Sequence, residues 1–483
     1  MNGKKSLYAL HYTKNLLEAC MNWVESEFKN MDLGDRRLNN RVIKITETLG
    51  LAPGRTIPQA FTTRADMKAC YNFFGNDVVT EELLLVPHIE RTIERIKEYD
   101  TVLLLTDTSE ANYSTKTAMK NKERLSQTNT GLWLHPTFAV TPDRLPLGII
   151  DNNFWHREPE VFKGKKSERD KLPIEEKESY RWIASYLKAC EVAKETPKTQ
   201  IIHICDRDAD MIELFEIASQ KAKQGEPYAN FIVRSQYNRS IEKEESEKDS
   251  ENDNINKKLW RSLRNSPTLG KLEFTVSPTD ERKGRKVEME IKGVSVTLKR
   301  ACKNIKVKVN AVMTIEIDRP KGETPIGWIL ITDLPVETFD DVKKVIEYYL
   351  CRWQIELFFK VLKSGCKIEE RQLQAADRME NLITIFMILA WRVMYTMMLG
   401  RVCPDISAGD IFEASEWKAV YKIQNKNKPL PRKPPRLGEF IIMIAALGGY
   451  IPAKNGSPPG VKVMWKGMSR MIDFAIAWDA FGG

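Results

Sequence analysis

The chain has 483 residues, 42% of them hydrophobic and 29% charged, with a formal net charge of +9. That composition belongs to a soluble globular protein of two to four domains, and the positive balance favours an anionic partner. Eight scattered cysteines, with no Cys-x2-Cys pair and no histidine at zinc spacing, argue against a zinc site or a disulfide framework and for a reducing compartment. No apolar run follows Lys4 and Lys5, so no signal peptide is expected, and the expected location is cytoplasmic.

Residues 1–75 read as short helices with basic faces. Leu16 to Phe28 is amphipathic, with Leu17, Cys20, Met21, Val24 and Phe28 on one side. Leu33-Gly-Asp-Arg-Arg37 opens a second helix carrying Arg36, Arg37, Arg41 and Lys44, and Arg64 to Phe74 forms a third. Next, Val102-Leu-Leu-Leu-Thr-Asp107 is a continuous apolar run that ends in a carboxylate, the pattern of a central strand buried on both faces. His135–Val140 and Leu147–Phe154 read as two further strands joined by a turn over Pro142–Pro146. Pro173 to Lys194 reads as a helix with Trp182 in the core.

Thr199–Asp206 repeats the apolar strand that finishes in an acid, and Asp208 to Asp210 are expected to start a helix running to about Lys223. Ala229–Arg234 is another buried strand. Glu242–Lys258 is poor in apolar residues and reads as a loop. Period-two segments follow at Leu272–Val276, Val287–Ile291, Val294–Leu298 and Ile305–Val309, an antiparallel set of hairpins leading to the strand Trp328–Thr332. Leu382–Leu399 is apolar enough to imitate a membrane span, but Arg392, Thr384 and Thr396 interrupt it; a buried core helix is expected and no membrane partner. Lys422–Arg436 is a Pro/Lys linker, and the tail after Leu437 is helical in pattern, with Trp465 and Trp478 as packing residues.

The stretch Phe339–Lys363 reads as one helix capped by Thr338 and Asp341 and stopped at Gly365. At about 100° per residue, Tyr349, Arg352, Glu356 and Lys363 share roughly 60° of arc, while apolar side chains fill most of the rest. A solvated face is the ordinary explanation of such a stripe. One carboxylate set between cations is also how a metal ligand stands beside an anionic substrate.

Tyr349-x2-Arg352-x3-Glu356-x6-Lys363 resembles the signature of cut-and-paste bacterial transposases of the insertion-sequence-four family. Lys321-Gly-Glu-Thr-Pro-Ile-Gly-Trp328, Cys205-Asp-Arg-Asp-Ala-Asp210, Leu437…Leu447-Gly-Gly449 and the Leu-Gly-Asp-x-Arg of the N-terminal helices are similar to that family in the same order. The resemblance implies an α/β fold: a ribonuclease-H-like catalytic core over 76–400 with an antiparallel β insertion at about 240–335. Helical domains flank it, with 1–75 binding DNA ends and 401–483 dimerising.

The resemblance also implies that Asp107, Asp206 and Glu356 are the catalytic and metal-binding acids. They are remote in sequence, so only the fold can gather them, and three carboxylates at one site repel unless divalent cations neutralise them. Oxygen-only ligands suit Mg²⁺, with Mn²⁺ as a substitute, and do not suit zinc. Tyr349, Arg352, Lys363 and Arg234 would then hold phosphates, Trp328 would stack a flipped base, and Arg36 and Arg41 would contact the transposon end. The function implied is end cleavage through hairpins and insertion into target DNA, by a homodimer on double-stranded DNA. The alternatives are a metal-dependent nuclease on the same core and a non-catalytic end-binding inhibitor.

Overall fold

Uninterrupted apolar runs become the buried strands of this fold. The structure is a computed structural model, describing residues 23–51, 54–155, 172–242, 258–276, 284–300, 304–320, 326–452 and 458–481. Leu17, Cys20 and Met21 of the expected first helix, most of the loop expected after Glu242, and Lys321–Pro325 lie outside the described residues. The strands among the described residues are, in chain order, β1 Thr101–Thr106, β2 Ser109–Asn112, β3 Glu123–Arg124, β4 Thr130–Val140, β5 Pro146–Trp155, β6 Gln200–Cys205, β7 Asn230–Arg234, β8 Ser240–Ile241, β9 Thr268–Val276, β10 Arg285–Arg300, β11 Ile305–Glu316 and β12 Gly327–Thr332. The chain divides into two units, one of Met1–Arg95, Thr108–Glu158 and Gln354–Gly483, the other of Ile96–Asp107 and Pro159–Trp353.

In the second unit β1, β6 and β7 pair in parallel, with Thr106 opposite Cys205 and Cys205 opposite Val233. Val102 to Leu105 are wholly buried, as a strand covered on both faces requires. Helix Ile212–Gln224 makes the crossover from β6 to β7, and Phe215 stacks on Phe231 with ring centroids 5.0 Å apart. A stacked pair of this kind adds about 0.5–1.5 kcal/mol beyond its buried area. The rest of the sheet is antiparallel: β12 joins β7, then come β11 and β10, with β9 and β8 on the far side of β10.

Three expectations are corrected here. Val287–Ile291 and Val294–Leu298 are not two strands but parts of the single strand β10, which pairs with β11 from Met289 to Arg300 without a turn. Gly293, which sits between them, is needed for close packing: a Cβ there would lie 2.5 Å from the Val336 carbonyl oxygen. Second, Asp208–Asp210 do not open a long helix. A 3-10 turn over Arg207–Ala209 precedes the helix, which starts at Ile212.

The third correction concerns Phe339–Lys363, which is not one helix. Its start is as expected: Thr338 Oγ1 accepts the Asp341 N–H at 3.2 Å and Asp341 Oδ2 accepts the Thr338 N–H at 3.0 Å. The helix ends at Leu350, because the N–H groups of Cys351 and Arg352 bond three residues back rather than four. A second helix covers Trp353–Lys360 and continues as a π turn over Val361–Gly365, closed by the Cys366 N–H bonding to Val361 O at 2.9 Å. A stripe drawn on one ideal helix therefore does not survive, although each of its residues keeps a definite position.

In the first unit β4 pairs antiparallel with β2, β3 and β5. Helix Ala376–Val402 lies along β5, where Trp391 Nε1 donates to Pro146 O at 3.1 Å. It is long and apolar enough to cross a membrane, yet 89% of its apolar window is buried inside the fold, as expected of a core helix. Helices Ala414–Gln424, Leu437–Leu447 and Val461–Phe481 pack together, with Trp465 buried and Trp478 half-buried.

Candidate active site

Parallel strands deliver their final residues to one edge of a sheet, where the sites of α/β folds are built. β1 and β6 end in register, and the next residues are Asp107 and Asp206. β7 brings Arg234 to the same edge. Antiparallel β12 starts there, since Leu330 pairs with Arg234 and Trp328 stands two residues before it. Two acids, a cation and an indole thus share an edge through topology alone.

Helix Phe339–Leu350 adds the next side chains. Arg352, just beyond its end, donates from Nη1 to Asp107 Oδ2 at 3.0 Å, and both side chains are largely buried. Tyr349 is buried; burial pushes its hydroxyl pKa up, and the charges of Arg352 and Arg234 oppose that shift. Asp206 accepts the Asp208 N–H at 2.8 Å. Burial raises its carboxyl above the usual range, and the Asp208 N–H, Arg352 and Arg207 only partly offset that. Beneath the acids Thr106 Oγ1 and His203 Nε2 are 2.9 Å apart, and burial pushes His203 down to about 3, so the ring is neutral.

The structure therefore brings together Asp107, Asp206, Arg234, Tyr349 and Arg352 in the second unit. Trp328 is half-buried in β12, its ring edge-on to Phe274 at 6.3 Å. Glu356 and Lys363 belong to the first unit, half-buried on helix Trp353–Lys360 and on the π turn. Arg36 and Arg41 are in that unit as well, on helix Arg36–Leu51, whose apolar side is Val42, Ile45 and Leu49. Arg36 is exposed, whereas Arg41 lies 3.4 Å from Asp66, which also holds Lys44.

Among the described residues no three His, Cys, Asp or Glu side chains are gathered as a ligand set. The pair that is gathered fits a hard divalent cation. Its donors are all oxygen and Asp206 is partly desolvated, while Arg352 occupies Asp107 Oδ2 and would have to share that oxygen with a cation.

Two residues at this edge escape a reading of the sequence. Trp353 is 57% exposed with the Arg352 guanidinium 5.8 Å from its ring, and it follows a helix break that has no sequence signal. Asp210, expected to start a helix, is instead fully buried.

Family models match three stretches of the chain: transposase DNA-binding over residues 20–79, the transposase DDE domain over residues 223–391, and the transposase Tn5 dimerisation domain over residues 388–478. The chain belongs to the Tn5-type DDE transposases. The DDE match takes in Arg234, Trp328, Tyr349, Arg352, Glu356 and Lys363, whereas Asp107 and Asp206 precede it. The transposase is accordingly an enzyme of the nuclease and transposase class, and its DDE domain implies dependence on a divalent metal. Its matched segments give it DNA and a second copy of itself as partners.

Proposed function

We propose that this transposase binds the inverted-repeat ends of its element in the cytoplasm, cuts them by phosphodiester hydrolysis and hairpin formation, and joins the freed 3′ ends to target DNA. The observation that supports this best is the pairing of Asp107 and Asp206 at the ends of neighbouring parallel strands, with Arg352 bonded to the first. On this reading the core is ribonuclease-H-like over 76–400 and carries the antiparallel strands at about 240–335 as an insertion. Residues 1–75 read the end and 401–483 dimerise.

Asp107, Asp206 and Glu356 would hold Mg²⁺, with Mn²⁺ as a substitute, and the cation supplies Lewis-acid stabilisation of the attacked phosphodiester. Arg352, Arg234 and Lys363 neutralise the phosphates on either side, and Tyr349 donates a hydrogen bond to a phosphate oxygen. Trp328 stacks a base turned out of the duplex, which relieves the strand for a hairpin, and Arg36 and Arg41 grip the end.

Phosphate contacts are read directly from salt dependence. Replacing Lys363 or Arg352 with Gln is expected to lower the slope of log affinity against log salt by roughly 0.9 each. Slopes unchanged in both variants would remove Lys363 and Arg352 from the phosphate contacts.

Assembly is tested on the tail. A chain ending at Arg436 is expected to bind one end and form no paired-end complex. Mixing Glu356→Gln chains with Arg36→Ala/Arg41→Ala chains should restore part of the cleavage, each supplying what the other lacks. Cleavage by a monomeric complex, or no complementation in mixed dimers, would favour a simple nuclease.

A further inference from the structure

Asp206 and Asp210 bracket one 3-10 turn, Arg207–Ala209, and the chemistry proposed above uses only the first. Asp210 has a different set of partners. Its side chain is fully buried, and its Oδ2 accepts the backbone N–H groups of Gln236 at 2.7 Å and Tyr237 at 2.9 Å. Its Oδ1 accepts Arg239 Nε at 2.8 Å, and Arg239 also donates to the Asp210 carbonyl. Charge-assisted bonds of this kind are roughly twice as strong as neutral ones.

All these donors lie on the segment that begins just after Arg234, the last residue of β7. The other side of that segment is held too. The Ser235 N–H bonds to Ile329 O of β12 at 2.8 Å, Trp260 Nε1 donates to Ser235 Oγ at 3.1 Å, and the Trp260 N–H donates to Asn238 Oδ1 at 2.9 Å. A loop held at so many points is a fixed platform. It presents Arg234 at its root and, at its tip, Tyr237, 58% exposed with the Arg239 guanidinium 5.4 Å from the ring.

We propose that Asp210 is a positioning residue for DNA. It fixes the backbone after β7 so that Arg234 and Tyr237 meet the strand passing the Asp107–Asp206 edge. One short turn thereby ties a reacting acid to the loop that holds the substrate. The inference rests on Arg234 being a phosphate contact. It also carries a distinctive sign: deleting an acid near a polyanion ordinarily tightens binding, whereas loss of a positioning acid weakens it.

The test measures binding of the full chain to a duplex carrying the inverted repeat that flanks its gene, over a range of salt. Arg234→Ala is expected to weaken binding about tenfold and flatten the salt slope by roughly 0.9. Asp210→Ala should reproduce both effects although its carboxylate touches no DNA, and the double variant should add little to either. Asp210→Asn with Arg239→Gln leaves no unpaired buried charge and keeps an acceptor for the loop. It should fold and recover most of the affinity, so it carries the test if Asp210→Ala does not fold. Unchanged or tighter binding by Asp210→Ala, additive effects with Arg234→Ala, or no recovery in a folded Asp210→Asn/Arg239→Gln chain would overturn the inference. An Arg234→Ala chain that binds like wild type would instead remove the phosphate contact, and the inference with it.

Discussion

Replacing Asp206 with Asn is expected to lower DNA cleavage by about a thousandfold or more while leaving end binding intact or slightly tighter. The loss follows from charge. Stabilisation of an attacked phosphodiester by a held cation amounts to several kcal/mol, and each 1.36 kcal/mol is about tenfold in rate. The specificity follows from geometry. Asp206 Oδ1 caps the 3-10 turn by accepting the Asp208 N–H, and an asparagine oxygen can accept the same bond. Asp107→Asn is a less clean experiment, because it takes the carboxylate from a largely buried Arg352 and adds a stability cost to the catalytic one. Glu356→Gln should match Asp206→Asn if all three acids serve one reaction. Single-turnover cleavage of pre-bound end DNA in Mg²⁺ and in Mn²⁺ decides the matter. Undiminished cleavage by either variant would take that acid out of the chemistry.

The parts of this site that are legible in sequence are those written locally. An unbroken run as short as Val102–Leu105 fits a strand covered on both faces better than a helix, so its strand and the acid after it can be placed from the residues alone. The same holds for β6 and for the capping box at Thr338. What cannot be read this way depends on contacts between remote segments. β10 changes the parity of its alternation between Ile291 and Val294, which looks like a turn until Gly293 is seen against the Val336 carbonyl. Asp210 follows a strand, as helix caps do, and its partners at Gln236, Tyr237 and Arg239 come together only through the β6–β7 crossover. The breaks around Arg352 and at Val361–Gly365 shift backbone hydrogen bonds by one residue, and nothing in the apolar spacing marks them.

The second large effect lies away from the acids. Replacing Glu27 with Ala is expected to cost about 3–5 kcal/mol of stability, the usual consequence of breaking a buried ion pair from one side. Glu27 sits inside the stretch matching transposase DNA-binding domains and is buried. Arg95 donates to both its oxygens, at 3.0 and 2.9 Å, and also to Leu147 O of β5 at 2.6 Å. His88 Nε2 accepts the Ile149 N–H at 2.9 Å, so the ring proton is on Nδ1 and is donated to Glu27. Burial alone would raise the Glu27 carboxyl; Arg95 and His88 outweigh it and hold the value at about 2. Because that lies below the ordinary value of 4.5, the contribution is complete above about pH 4.5 and disappears as pH falls toward 2. His88, lowered by burial, acts in the same direction, losing its contribution as pH falls below its ordinary 6.5. Wild type should therefore lose stability steeply in acid, and Glu27→Ala, already deprived of the pair, should lose less over the same range. A Glu27→Leu/Arg95→Met chain, which leaves no charge stranded, should be more stable than either single variant. Denaturant unfolding at neutral pH and near pH 3 measures all of this. A cost below about 1 kcal/mol, or an acid limb as steep in Glu27→Ala as in wild type, would mean that this network does not hold the N-terminal helices to β5.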